Sequence, residues 1–81
     1  MVEKKADRKI SVAAYSGYRG DEIPRSFILS GEKIEVVEIL ESGIEETKEK
    51  KRRRRFRVKG SDGYFHRISY DEEAEEWFYT A

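Results

Sequence analysis

Residues 56–70, FRVKGSDGYFHRISY, constrain the fold of this chain more than any other stretch. Phe56-Arg57-Val58-Lys59 alternates apolar and basic residues, and Tyr64 to Tyr70 alternates again after Gly60-Ser61-Asp62-Gly63. Successive side chains of an extended strand point to opposite faces, so a period of two implies one buried and one wet face. The residues between the runs have turn chemistry. A three-residue Ser61-Asp62-Gly63 loop with Gly63 left-handed closes a hairpin, because glycine adopts positive φ without a Cβ clash. That register sets Phe56 opposite Ile68 and Val58 opposite His66, bringing the apolar residues onto one side.

The same period recurs upstream. Ile10, Val12 and Ala14 alternate with Ser11 and Ala13 as a first strand, and Ser16 to Glu22 forms a glycine-bearing loop. Pro24 ends it, holding Ile23 extended. A two-residue turn at Gly31-Glu32 sets Phe27 against Val36 and Leu29 against Ile34. Beyond Val36 the phase slips: Val37 and Ile39 take the apolar positions, while Glu35, Glu38 and Glu41 stay polar. A β-bulge near Val36-Val37 explains the slip. A helix is the alternative, because Ile34, Val37 and Glu38 also fit a three-to-four spacing. Gly43 marks a turn, and Ile44 to Lys51 reads as a long, mobile, charged loop. Asp71 to Glu76 forms an acidic, solvated turn before Trp77-Phe78-Tyr79. Pairing Tyr70 with Trp77 places Ile68, Tyr70, Trp77 and Tyr79 on one face.

Five or six short antiparallel strands, with no long helical stripe, predict an all-β fold: a small SH3-like barrel carrying one long charged loop. A flexible N-terminus (1–8) precedes a single domain (9–81). The expected core is Phe27, Leu29, Ile34, Val36, Phe56, Val58, Ile68 and Trp77. Charged residues make up 42% of the 81 residues, a disorder-like proportion, but ten aromatics supply the apolar area that offsets ordering entropy.

Charge is distributed in two poles. Lys48, Lys50 to Arg55, Arg57 and Lys59 are nine bases opposed only by Glu49, or 9 − 1 = +8, and the remaining 8 bases and 16 acids give −8. With Phe56 and Val58 inward, Arg53, Arg55, Arg57 and Lys59 project outward about 6.6 Å apart, twice the strand rise. Three readings of this row compete. It is solvated or balanced by Glu35, Glu38 and Glu41 on neighbouring strands; it binds DNA or RNA phosphates; or it binds an acidic protein. Tyr18 and Arg19 in the first loop add an exposed ring and a cation suited to stacking on bases. Tyr15 and Phe65 are expected in the core, since a small barrel needs large side chains to fill it.

The chemistry of catalysis finds little support. His66, the one histidine, has no nucleophile or acid partner in a local motif and reads as a half-buried strand residue. The cluster from Asp71 to Glu76 lacks the pattern of a calcium loop. No cysteine is present. A non-enzymatic, monomeric binding module without metal or cofactor is expected, the alternative to nucleic-acid binding being a protein-interaction module that docks through the 15–25 loop or a strand edge. No apolar run suits a signal peptide or membrane span, so a cytoplasmic location is expected. Asn, Gln and Cys are absent while Glu, Lys and Arg dominate, a balance characteristic of hot environments.

The segments AYSGYRGDEIPRSF (14–27), GEKIEVVEI (31–39) and FRVKGSDGYFHRISYDE (56–72), with Trp77, resemble a family of short, uncharacterised prokaryotic cytoplasmic proteins. More distantly, the F, G, V, DG and W positions are similar to a small domain appended to some bacterial Y-family polymerase-like proteins of DNA repair. The resemblance covers about three quarters of the chain, implies the barrel and supplies no activity. The basic run Lys50 to Arg55 lies outside its motifs.

Overall fold

Alternating sequence becomes paired strand along nearly the whole chain in the computed structural model, which describes residues 8–16, 22–46 and 48–80. Six strands follow in order: β1 (Arg8–Ser16), β2 (Glu22–Leu29), β3 (Glu32–Glu46), β4 (Arg52–Gly60), β5 (Phe65–Asp71) and β6 (Glu76–Thr80). Each pairs antiparallel with the next. β1 then meets β6 through Arg8↔Tyr79, Lys9↔Phe78 and Ile10↔Trp77, closing a small barrel consistent with the SH3-like class. The expected flexible terminus lies outside the described residues except for Arg8, which opens β1.

The β4–β5 hairpin has the register read from its sequence, Phe56↔Ile68 and Val58↔His66. Gly63 has a φ of 88°, and its amide donates to the Gly60 carbonyl at 2.9 Å. The β2–β3 hairpin departs from expectation. Its turn is Ser30-Gly31, with φ of 52° and 82°, so Phe27 faces Ile34 and Leu29 faces Glu32. Two successive left-handed residues match the twist of the flanking strands, and glycine takes the second place. Moving the turn by one residue changes the partner by two, which leaves the inward parity intact.

No helix forms over Ile34 to Glu41. β3 is bulged between Val36 and Glu38, as expected, and again between Ile39 and Glu41. Val37, however, is 62% exposed, and Ile39, although opposite Val58, is only partly covered. The expected loop over Ile44 to Lys51 starts as sheet instead: β3 runs through Gly43, where a turn was expected, to Glu46, and Lys48 to Lys51 make the connection to β4. Ile44↔Arg54, Glu45↔Arg53 and Glu46↔Arg52 continue the ladder, because opposite charges face each other across the ribbon.

Phe27, Ile34, Phe56, Val58, Ile68 and Trp77 form the buried cluster, with Leu29, Val36, Tyr70 and Tyr79 packed against it. Phe56 and Trp77 lie 5.7 Å apart, and Tyr70 and Trp77 4.8 Å. Burying each such side chain contributes about 1.5–3 kcal/mol. No described helix is long and apolar enough to cross a membrane.

Candidate nucleic-acid interface

Strand alternation sends the odd-numbered residues of β4 and β5 to the outside of the barrel. Register aligns them in rows: Gly43, Arg55, Ser69 and Phe78 in one; Glu41, Arg57, Arg67 and Thr80 in the next. Between these rows runs a groove of about 500 Å³, lined by Glu41, Glu45, Arg53, Arg55, Arg57, Arg67, Ser69 and Thr80, among others. Its lining carries four arginines and two glutamates, or 4 − 2 = +2.

The four cations expected in a row do not share one environment. Arg53 is on the outer face but folds down: its side chain is 22% exposed, its Nε sits 3.9 Å from Asp71 Oδ2, and its guanidinium lies 4.6 Å from the Phe78 ring centre. That arginine belongs to the protein's own packing. Arg55 reaches Glu45 at 3.5 Å, an exposed pair of small energetic weight. Arg57 leans over the Phe65 ring at 5.8 Å. Lys59 is exposed opposite Glu38 and Phe65. Balancing by the protein's own carboxylates is thus partly realised, with Glu38 and Glu41 facing Lys59 and Arg57.

Two aromatic expectations are overturned. Phe65 is 59% exposed and Tyr15 51% exposed, so neither belongs to the core. Phe65 precedes the inward His66 and therefore points outward. Tyr15 alternates with the inward Ala14 and has the Arg25 guanidinium 5.5 Å from its ring centre. Arg67 was missed as a site residue. Its signal was the hairpin register, which sets it directly opposite Arg57. Tyr18 and Arg19 lie outside the described residues.

The hairpin tip beside this face is locked to the core. His66 is buried beyond the half-burial expected; its Nε2 meets Asp62 Oδ2 at 3.0 Å and its Nδ1 meets the Tyr79 hydroxyl at 2.9 Å. A carboxylate only accepts, so Nε2 carries the hydrogen, and Nδ1 of the neutral ring accepts from Tyr79. The Tyr64 amide donates to Asp62 Oδ1, and this bond, followed by the His66 ring, holds the Asp62 carboxyl below its ordinary range. Asp71, expected to be solvated, is buried instead. Its Oδ1 accepts from the amides of Glu73 and Ala74, shaping the β5–β6 turn. Among the described residues, no group of three or more acidic or histidine side chains is placed to hold a metal.

The chain matches no protein-family model, no curated protein and no solved structure.

Proposed function

We propose that this barrel is a non-enzymatic module that binds DNA or RNA weakly and without sequence preference through the outer face of β4 and β5. The observation that carries the reading is the groove in which Arg55, Arg57 and Arg67 converge, with Lys59 and the exposed Phe65 beside it. Guanidinium groups offer paired donors to phosphate oxygens, and an exposed ring gives any base a face to stack on. Such contacts follow the backbone and the general shape of a base, so they carry little sequence information. Glu41 and Glu45 in the same groove keep the affinity low by repelling the polyanion. A ¹⁵N chemical-shift titration with mixed oligonucleotides at about 50 mM salt tests the reading, since phosphate contacts are strongest at low salt. Shifts centred on β4 and β5 are expected; an unperturbed spectrum at excess oligonucleotide rejects it.

A second reading, docking of a protein on a strand edge, has its own observation. Past Glu35, β3 pairs with β4 alone among the described strands, and Val37, Leu40 and Ile44 are exposed along it. An open edge of this kind offers backbone groups for strand addition. Its two bulges and its glutamates Glu38, Glu41, Glu45 and Glu46 are also the devices that discourage such pairing. This reading ranks second.

A further inference from the structure

Arg57 and Arg67 are direct partners across β4 and β5, both exposed on the outer face. Directly opposed side chains start from Cβ atoms about 5 Å apart, and like charges in that position destabilise the sheet. The usual remedy, a carboxylate on each, is missing. Arg53 is taken by Asp71 and Arg55 by Glu45, while among the described residues neither Arg57 nor Arg67 makes an ion pair. Glu41 faces Arg57 from β3 without reaching it, so the pair retains positive charge.

Two hydroxyls accompany the arginines. Thr80 is the register partner of Arg67 on β6. Ser69 lies one outward position along β5, lines the same groove, is only 3% exposed, and its Oγ has no hydrogen-bond partner in the protein. A buried hydroxyl with no partner has given up its hydrogen bonds to water for nothing, so its retention calls for a compensating contact. Its register partner is Arg55, whose flexible side chain belongs to the groove lining.

We propose that Arg57 and Arg67 clamp a single phosphate group in this groove, with the hydroxyls of Ser69 and Thr80 as further donors. Resting on the nucleic-acid reading above, this identifies the groove as the seat of one backbone phosphodiester, around which the other contacts are weak. Two guanidiniums on one phosphate relieve their mutual repulsion, and their flat donor forks match its oxygens in a way that ammonium groups do not. Phe65, beneath Arg57, is placed to stack on the adjoining base.

The test uses two probes, inorganic pyrophosphate and a single-stranded thymidine oligomer, on the intact protein and on Arg67→Ala and Arg67→Lys. The Nε–Hε resonances of Arg57 and Arg67 and the amides of Ser69 and Thr80 are followed, and thermal melts verify that each variant folds. Both probes are expected to move these resonances in the parent protein. Arg67→Ala is expected to weaken oligomer binding at least tenfold, with Arg67→Lys intermediate. Pyrophosphate at saturation leaving these four residues unmoved overturns the seat, whatever the oligomer does. An oligomer affinity unchanged in Arg67→Ala overturns it too, while leaving the nucleic-acid reading standing. Pyrophosphate binding at the seat without any oligomer binding upholds the seat and removes the nucleic-acid reading.

Discussion

His66 Nε2 lies 3.0 Å from Asp62 Oδ2, tying the tip of the β4–β5 hairpin to a ring that packs edge-on against Phe27 at 5.2 Å. The loop that ends the basic strand is thereby part of the core's hydrogen-bonded structure, and its ionisation bears on stability. Asp62 has its carboxyl held below the ordinary value by the Tyr64 amide and then by His66. A depressed carboxyl contributes stability that is present above its unfolded value and lost as pH falls through the folded one. The barrel is therefore expected to lose stability progressively below about pH 4, the ordinary carboxyl range. Asp62→Asn, melted in parallel across that range, is expected to have a shallower acid limb. Identical acid limbs for the two proteins contradict the assignment.

Phe56 sits at the centre of β4, buried and 5.7 Å from Trp77. Phe56→Ala removes a ring that no neighbour can replace, at a cost of about 3–5 kcal/mol. A domain of this size has roughly 4–12 kcal/mol in total, so the variant is expected to be largely unfolded or to melt far below the parent. Denaturant titration of both proteins measures the difference, and a loss below about 1 kcal/mol, the typical cost of a point mutation, contradicts the packing.

Gly60 is fixed by approach rather than by φ. A Cβ there meets Asp62 Oδ1 at 2.6 Å, Ile34 Cγ2 at 2.7 Å and His66 Cδ2 at 3.1 Å. Gly60→Ala must displace a core methyl and the His66–Asp62 pair together. A loss of about 1–3 kcal/mol is expected, the usual range for overpacking. A changed His66 ring resonance is expected with it, and an unaltered ring with unchanged stability refutes the contact.

The composition points to an unfolding midpoint above the mesophile range of about 45–65 °C. The exposed pairs Lys9–Glu76, Arg54–Glu72 and Arg55–Glu45 belong to the charge network behind that expectation. Calorimetry at low and high salt checks it, since screening weakens exposed pairs. A midpoint inside the mesophile range, unaffected by salt, counts against it.

Legibility of the fold followed the strength of the local signal. The β4–β5 register was readable because Gly60-Ser61-Asp62-Gly63 and the alternation on both sides specify one loop length. At Ser30-Gly31 the chain offered a glycine but two possible placements, and the structure uses a left-handed Ser30 that no propensity demands. The exposure of Phe65 was already implicit in the register that turned His66 inward; a general preference for buried rings obscured it. Val37 misled for the opposite reason, since a bulged residue leaves the alternation and apolar character no longer implies an inward side chain. The charged segment after Gly43 looked like a loop because glutamates and arginines were considered singly. Paired across strands, Glu45↔Arg53 and Glu46↔Arg52 make its first part sheet, up to Glu46. In the candidate site, the basic row was visible from spacing alone. The withdrawal of Arg53 onto Phe78 and Asp71 depends on side-chain contacts that spacing does not show, whereas the entry of Arg67 was implicit in the hairpin register that sets it opposite Arg57.

The nucleic-acid reading has a quantitative consequence in salt. Arg55, Arg57, Lys59 and Arg67 are the cations placed to meet phosphates, Arg53 being held by Asp71 and Phe78. With Arg57 and Arg67 sharing one phosphate, these cations neutralise three and release their condensed counterions, so log K against log salt is expected to fall with a slope of about −0.9 × 3 ≈ −2.7 on duplex DNA and about −0.7 × 3 ≈ −2.1 on a single strand. Replacing Arg55 and Arg57 by Ala removes the Arg55 contact and leaves the shared phosphate to Arg67 alone. Affinity then drops on every sequence tested and the slope becomes shallower by about one on the duplex, because backbone contacts do not depend on the bases. Both arginines are exposed, and their replacement leaves Phe56 and Val58 buried on the opposite face, so the fold is retained. The −8 carried outside the basic segment repels the same polyanion wherever it comes close, which makes the measured slope a lower bound in magnitude for cations fully engaged. Fluorescence anisotropy across a salt series supplies the slope directly. A near-flat slope with binding intact transfers the function to the exposed β3 edge and a protein partner, since strand addition uses backbone hydrogen bonds that salt hardly affects.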